Sequence, residues 1–257
     1  MLQALTEAGI APDLVVGTSI GAVNGAVMAA HPGLPGVERL TRLWDELAAS
    51  EVLDGALIGR LSTLLRTRTH LHSLRPLRAI LERHLPGTFA ELEVPFQCVA
   101  ASVERAGPRW FSDGPLGPAI LASSAVPGLF PPVEIDGEHH MDGGLVHSIP
   151  VGRALELGAT EVYVLHVGRI ENPLRKPRNP VEVALAAFEI GRRHRFVEEI
   201  ERLPESVTAH VLPADAEGLA FNDLRQLRYR DRRRIGSAIE RARTATGRYL
   251  AGVGQGG

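Results

Sequence analysis

Apolar positions near the start of the chain change from a helical spacing to a continuous run and back to a helical spacing. Residues 2–8 carry apolar side chains at helical spacing, and Gly9 predicts the end of this first helix. The run at 14–16 suits a short strand that is buried on both faces. The small residues at 22–30 predict a second helix, so a sharp turn must join the strand to it.

Strand patterns and helical patterns then alternate along the rest of the chain. Predicted strands lie at 94–101, around 110–111 and at 133–135, 162–167 and 207–212, and predicted helices at 116–124, 151–157, 181–203 and 231–250. This alternation predicts a single α/β domain over residues 1–257. A glycine-rich, flexible tail is expected at 251–257.

Residues 35–86 show two amphipathic helical stripes, one around Trp44 and one at 77–85. The stretch at 53–73 between them mixes leucines with arginines, a pattern typical of a cap or of a segment at an interface. A helical, cap-like region over 35–86 is one interpretation. Two ordinary surface helices joined by a loop are the alternative, and the pattern favours this simpler arrangement.

Composition and charge exclude several classes of function. The 257 residues are 44% hydrophobic and 23% charged, as in globular proteins, and the net charge of -2 gives no general attraction to nucleic acid. We therefore expect no nucleic-acid partner. Cys98 is the single cysteine, which excludes an intrachain disulfide and a thiolate metal centre, and its apolar neighbours predict a buried structural thiol.

The sequence contains no run of about 18 apolar residues, and its first residues lack the basic start and apolar centre of a signal peptide. We expect a cytoplasmic protein whose contact with a membrane, if it has one, is peripheral. Arginines of the C-terminal third would suit anionic phospholipid headgroups, although a solvated helix face paired with glutamates is the interpretation that we prefer. These arginines are Arg192, Arg193, Arg195, Arg225, Arg228, Arg230, Arg232, Arg233 and Arg234.

The clearest chemical motif is Gly17-Thr18-Ser19-Ile20-Gly21, which lies between a predicted strand and a predicted helix. In this context a Gly-Xaa-Ser-Xaa-Gly turn is typical of a nucleophile elbow. The serine is then held in a strained conformation at a helix N-terminus, where N–H groups favour an anion. We predict that Ser19 is a nucleophile and that both glycines allow strand and helix to pass closely. An ordinary glycine turn is the alternative.

A serine hydroxyl is a weak nucleophile without a base. In the usual α/β-hydrolase elbow the base is a histidine later in the chain. Candidate histidines are His147, His166, His194 and His210. That fold places several strands before its nucleophile, whereas one predicted strand precedes Ser19, so an ordinary α/β-hydrolase is disfavoured.

Asp142 is the other candidate base. It lies at the end of a predicted strand and precedes Gly143 and Gly144, which would let a carboxylate loop approach the elbow. A turn former is the simpler interpretation of a lone Asp-Gly pair. The adjacent His139 and His140 would point to opposite faces of a strand, so we predict no metal site there.

Three motifs together resemble the patatin-like phospholipase family. They are Gly-Thr-Ser-Ile-Gly-Ala at 17–22, Ser-Ala-Val-Pro-Gly-Leu-Phe-Pro-Pro-Val at 124–133, and Asp-Gly-Gly at 142–144 followed by Pro150. The resemblance runs from about residue 1 to residue 167. It implies a three-layer α/β/α domain with a mostly parallel central sheet.

The resemblance also implies a Ser19–Asp142 dyad without a histidine, acting on a phospholipid or another acyl ester. The expected activity is that of a lipid acyl hydrolase of the phospholipase A, lysophospholipase or esterase type, with no metal or organic cofactor. Acyl transfer by the same dyad and lipid binding with impaired catalysis are the alternatives. The proline-stiffened segment before Asp142 is expected to line an acyl pocket with Val126, Leu129, Phe130 and Val133.

Family members carry an oxyanion loop, rich in glycine, after a first strand and before the helix that residues 2–8 resemble. We expect the sequence given to lack this strand and loop, which leaves the Ile20 N–H as the main oxyanion donor and lowers turnover. A second departure is Ser148, where the family usually has an asparagine. We expect it to have a minor effect on the loop that carries Asp142.

Overall fold

The computed structural model describes residues 1–49, 72–166, 173–178, 180–213 and 232–253. Most of the predicted cap stretch at 53–73 and the last four residues of the predicted tail lie outside these ranges. The described helices are α1 (Leu2–Glu7), α2 (Ile20–Ala30), α3 (Leu34–Ala49), α4 (Arg75–His84), α5 (Leu116–Ser123), α6 (Val151–Glu156), α7 (Pro180–Glu201) and α8 (Arg232–Val253). The described strands are β1 (Val15–Thr18), β2 (Phe96–Ser102), β3 (Gly107–Phe111), β4 (Val133–Ile135), β5 (Glu138–Asp142), β6 (Glu161–Val164) and β7 (Thr208–Val211).

The predicted elements agree closely with these bounds. The main difference is at the C-terminus, where α8 continues to Val253, so the predicted tail at 251–257 begins with the last helical residues. The chain divides into two compact units, Pro12–Pro150 and Met1–Ala11 with Val151–Gly257. The single domain over 1–257 stays a prediction.

The unit Pro12–Pro150 contains a mixed five-stranded sheet. Strand β1 pairs with β2 in parallel, whereas β2 with β3, β2 with β5, and β4 with β5 pair antiparallel. The α/β class is confirmed, but the expectation of a mostly parallel sheet is wrong for the described pairs. Short hairpins join β2 to β3 and β4 to β5, whereas helices lie between β1 and β2 and between β3 and β4. In the β4–β5 hairpin Asp136 and Gly137 both have positive φ, as a tight two-residue turn requires.

Strand β2 carries β1 and β5 end to end along one edge. Its residues Cys98–Ser102 pair with β3, which occupies one edge over that whole length. The pairings with β1, through Val99, and with β5, from Ala100 onward, must therefore use the other edge. The C-terminal ends of β1 and β5 consequently meet beside the middle of β2.

Helices α2 and α5 supply much of the core of this unit. Helix α2 is built from small residues and packs tightly on the sheet at Gly25, where an added Cβ would lie 2.9 Å from Val15 Cγ1 and 3.1 Å from Phe96 Cε2. Helix α5 buries Leu116 and Ile120 completely. This packing keeps the N-terminus of α2 in reach of the C-terminus of α5.

The cap-like region contributes two amphipathic helices in its described part. Helix α3 buries Leu40 and Leu43, and helix α4 buries Leu77, Ile80 and Leu81, so the two predicted stripes face the protein interior. Both helices fit the simpler of the two sequence interpretations. Whether they act as a cap stays a prediction.

In the other unit, β6 pairs with β7 in parallel, and Glu7 of α1 forms an ion pair with Arg243 of α8. Two of the arginines singled out from the sequence, Arg192 and Arg193, bind the buried carboxylate of Glu189, and their own side chains are only 12% and 16% exposed. These two arginines therefore do not lie on the solvated helix face that the sequence interpretation expects. Arg225, Arg228 and Arg230 lie outside the described ranges. Among the helices that are described, none is long and apolar enough to cross a membrane.

Candidate active site

Ser19 lies at a strained elbow between β1 and α2. Its φ of 57° and ψ of -123° place it in the left-handed half of backbone space, which residues with a side chain rarely adopt. A Cβ at Gly17 would lie 2.4 Å from the carbonyl oxygen of Gly21, whereas a Cβ at Gly21 would meet nothing within 4 Å. Close passage of strand and helix therefore depends on Gly17, and Gly21 contributes the backbone that Gly17 approaches.

The hydroxyl of Ser19 donates a hydrogen bond to the carboxylate of Asp142. The distance from Ser19 Oγ to Asp142 Oδ2 is 2.5 Å, which is typical of a hydrogen bond to a charged acceptor. Asp142 is 1% exposed, and its Oδ1 accepts the N–H of Gly144 at 2.8 Å. The carboxylate is therefore oriented by one oxygen and faces Ser19 with the other.

The shared edge of β2 explains how two residues 123 positions apart come together. Thr18 pairs with Val99, and Asp142 pairs with Ala100, the next residue along β2. The residue after Thr18 is Ser19, so the elbow begins where β5 ends. Neighbouring positions on one strand thus align the two side chains.

A second contact joins the elbow to the loop after Asp142. Thr18 Oγ1 donates to the carbonyl oxygen of His147 at 2.8 Å, and the ring of His147 lies 5.2 Å from the ring of Trp110 on β3. Because Trp110, Val99 and Thr18 are register partners across three strands, this loop covers one face of the sheet beside the elbow. Sequence reasoning missed this role of Thr18.

The first N–H groups of α2 are available to an anion. Ser19 donates its own N–H to Ser123 Oγ, and Ala22 and Val23 donate to the Ser19 carbonyl. The N–H groups of Ile20 and Gly21 belong to the first turn, where a helix offers no acceptor. In the described part of the chain no contact occupies them, so Gly21 joins the predicted donor Ile20.

The predicted acyl-pocket residues follow α5 directly. Val126, Leu129, Phe130 and Val133 are all half-buried. The turn that contains the first three is closed by a hydrogen bond from the N–H of Leu129 to the carbonyl of Val126, and the ring of His72 lies against Phe130. The segment thus presents apolar side chains that are partly open to solvent, and its role as a pocket stays a prediction.

The neighbouring histidines of β5 have opposite surroundings. His139 is exposed and pairs with Glu104, which raises its pKa. His140 is fully buried against Phe111. Burial lowers the pKa of His140, so it is held neutral in the core.

The other histidines considered as bases lie in the unit that contains α6 to α8. His166 lies near Phe196, His194 is 3.9 Å from Glu198, and His210 is 3.1 Å from the hydroxyl of Tyr249. Within the ranges that the structure describes, no group of three or more His, Cys, Asp or Glu side chains could hold a metal ion.

Comparison with known proteins gives the family. Residues 1–155 match the model of the patatin-like phospholipases, whose domain is a three-layer α/β/α fold. The chain is 32% identical over 153 residues to an uncharacterized NTE family protein of Mycobacterium tuberculosis, a match that covers 59% of this chain and 39% of that protein.

More distant similarity extends to fungal and animal proteins. Over 173 residues the chain is 28% identical to the lysophospholipase nte1 of Aspergillus terreus, with 67% of this chain and 11% of that protein covered. Over 170 residues it is 28% identical to the patatin-like phospholipase domain-containing protein 7 of Rattus norvegicus, with 65% and 12% covered. The chain therefore spans less than half the length of each of these relatives. The match over residues 1–155 shows that the chain belongs to the patatin-like phospholipase family.

Proposed function

We propose that this protein is a lipid acyl hydrolase that cleaves acyl esters with Ser19 as nucleophile and Asp142 as base. The observation that carries the proposal is the 2.5 Å hydrogen bond from Ser19 Oγ to Asp142 Oδ2 at a strained elbow. A lipid ester as substrate is supported by the family and by the lysophospholipase among the relatives.

In the first half of the reaction Ser19 Oγ attacks the carbonyl carbon of the ester while its proton moves to Asp142 Oδ2. Because Asp142 is 1% exposed, bulk water does not compete with the serine hydroxyl for that oxygen. When the tetrahedral intermediate collapses, the bond to the leaving alcohol breaks and Asp142 returns the proton to the alcohol oxygen. The product is an acyl-serine.

In the second half a water molecule attacks the acyl-serine. Asp142 takes one proton from the water, the new carbon–oxygen bond forms, and the proton returns to Ser19 Oγ as the fatty acid leaves. The carboxylate therefore acts once as a base and once as an acid in each half. The cycle regenerates the Asp142 carboxylate and the Ser19 hydroxyl, and none of its steps uses a cofactor.

The negative charge of the tetrahedral intermediate needs donors that are already in position. The N–H groups of Ile20 and Gly21 at the start of α2 suit this role, because helix N-termini favour anions. Removing one such donor typically lowers turnover by about 100-fold or more. Two donors from one helix turn would thus make a large contribution to the rate.

The test compares Ser19→Ala and Asp142→Asn with the unaltered chain in hydrolysis of p-nitrophenyl esters. Each change should lower kcat by at least about 1,000-fold with little change in melting temperature, and the double variant should be little worse than either alone. A fluorophosphonate probe should label the unaltered chain and not Ser19→Ala. Substantial turnover by Asp142→Asn would rule out the dyad, and equal damage from His147→Ala would indicate a histidine base instead.

A further inference from the structure

The C-terminal end of α5 contacts both members of the proposed dyad through three consecutive residues. The N–H of Ser19 donates to Ser123 Oγ at 2.9 Å, and Ser124 Oγ donates to the Ser19 carbonyl oxygen at 3.2 Å. The carbonyl oxygen of Ala125 accepts the N–H of Asp142 at 2.9 Å. One short segment therefore holds the nucleophile on both sides of its Cα atom and also holds the base.

This segment is itself well fixed. Ser123 is the last residue of α5 and is fully buried, and Ser124 is 8% exposed. The N–H of Ser124 donates to the carbonyl of Ile120, and the N–H of Ala125 donates to the carbonyl of Ala122. Because water is excluded here, the two serine hydroxyls do not exchange their protein partners for solvent.

The backbone of Ser19 depends on outside support. Its positive φ is strained, and such conformations persist only where the surrounding structure imposes them. Helix α2 contributes on one side, because Ala22 and Val23 donate to the Ser19 carbonyl. On the other side, the Ser19 N–H donates a hydrogen bond to Ser123 Oγ. The elbow is thus held between its own helix and the end of α5.

We propose that residues 123–125 form a positioning segment that sets the separation of Ser19 Oγ from Asp142 Oδ2. Ser123 and Ser124 are its positioning residues, since their hydroxyls contact the backbone of Ser19 and not its Oγ. The inference rests on the proposed Ser–Asp mechanism. It assigns to these serines an effect on the chemical step and not on substrate affinity.

The experiment uses the full chain with Ser123→Ala, Ser124→Ala and Ser124→Thr, which keeps a hydroxyl. Ser102→Ala is the matched control, because Ser102 is a buried serine of β2 that bonds with Glu138. We measure kcat and KM for p-nitrophenyl butyrate, the rate of fluorophosphonate labelling, and melting temperature. Ser123→Ala and Ser124→Ala should each lower kcat and the rate of fluorophosphonate labelling by about 10- to 100-fold. KM should stay within about twofold of that of the unaltered chain.

The Ser124→Thr variant should retain kcat within about twofold of the unaltered chain, and Ser102→Ala should do the same. If both alanine variants keep full kcat while Ser19→Ala is inactive, the positioning role is overturned and the proposed function stands. If kcat falls as much in Ser102→Ala as in Ser123→Ala and Ser124→Ala, the loss comes from disturbed packing in general, and the inference also fails. Full activity of Ser19→Ala would remove the proposed function together with the inference. Should Ser123→Ala not fold, the Ser124→Ala and Ser124→Thr pair decides the question.

Discussion

Gly143 lies so close to Val99 that a Cβ atom on Gly143 would come within 2.1 Å of the Val99 carbonyl oxygen. Gly143→Ala must therefore shift either β2 or the loop that begins at Asp142. We expect kcat for ester hydrolysis to fall by about 100-fold, as for a displacement of about 1 Å at a catalytic group. Gly117→Ala on α5 is the control, because a Cβ there meets nothing within 4 Å. Equal activity of both variants would contradict the proposed loop geometry.

The two glycines of the elbow should respond oppositely to alanine. Gly17→Ala would bring a methyl group 2.4 Å from the Gly21 carbonyl oxygen, so we expect a fall in melting temperature and loss of fluorophosphonate labelling. Gly21→Ala has open space in the first turn of α2 and gains up to about 1 kcal/mol of helix propensity. Thermal unfolding of the two variants, side by side, checks this difference in sign. Similar destabilisation by both would be inconsistent with it.

Longer acyl chains should be better substrates than acetyl esters. Each methylene that is fully removed from water contributes about 0.8 kcal/mol, and the half-buried Leu129 and Phe130 would provide part of this. We therefore expect kcat/KM to rise from acetyl to octanoyl p-nitrophenyl esters. Leu129→Ala should flatten the series, whereas Leu34→Ala, at an exposed leucine of α3, should not. A flat response in the unaltered chain would remove the acyl-pocket assignment.

Stability should fall in mild acid because of His140. Burial is the main cause that lowers its pKa below the usual 6.5, the backbone of Val133 partly opposes this, Arg109 lowers the pKa further, and Glu138 raises it slightly. Below pH 6.5 the unfolded chain therefore binds a proton that the folded chain excludes, and the stabilising contribution, present above this pH, is lost as the pH decreases. Between pH 7.5 and pH 5, the melting temperature of His140→Phe should therefore fall by less than that of the unaltered chain.

His139 provides the matched comparison, since Glu104 raises its pKa through a hydrogen bond. Its stabilising contribution is present below pH 6.5 and is lost as the pH rises through the folded pKa. His139→Gln should therefore be destabilising mainly in acid, and weakly, because the side chain is exposed. The same pH response from both variants would show that burial does not keep His140 neutral.

Much of this arrangement could be predicted from local patterns. The apolar run before Gly17 and the small residues after Gly21 predict strand, elbow and helix, and the glycines after Asp142 indicate a close approach. Pattern alone cannot give the pairing of β2 with both β1 and β5, because strand register depends on residues far apart in the chain. The family resemblance implied a mostly parallel sheet, whereas the antiparallel pairs β2–β3, β2–β5 and β4–β5 make the sheet mixed.

The hydrogen bonds that support the elbow could not be predicted from the sequence, because they also join residues far apart in the chain. Ser123 is 104 positions from Ser19 and Thr18 is 129 positions from His147. A serine at the end of a helix and a threonine in a strand are ordinary residues in sequence, and their importance arises only from the neighbours that folding gives them. The motif at 124–133 located the segment but not the hydroxyls that hold the elbow.

The end-to-end arrangement of β1 and β5 on one edge of β2 has a consequence for how this chain can vary. The single step from Val99 to Ala100 brings the end of β1 beside the end of β5, and so brings the backbones of Ser19 and Asp142 together. Insertions or deletions in the loops between the two residues leave that step unchanged. An insertion between Val99 and Ala100 would move the β1-paired and β5-paired halves of β2 apart by one residue, about 3.3 Å, and would separate Ser19 from Asp142.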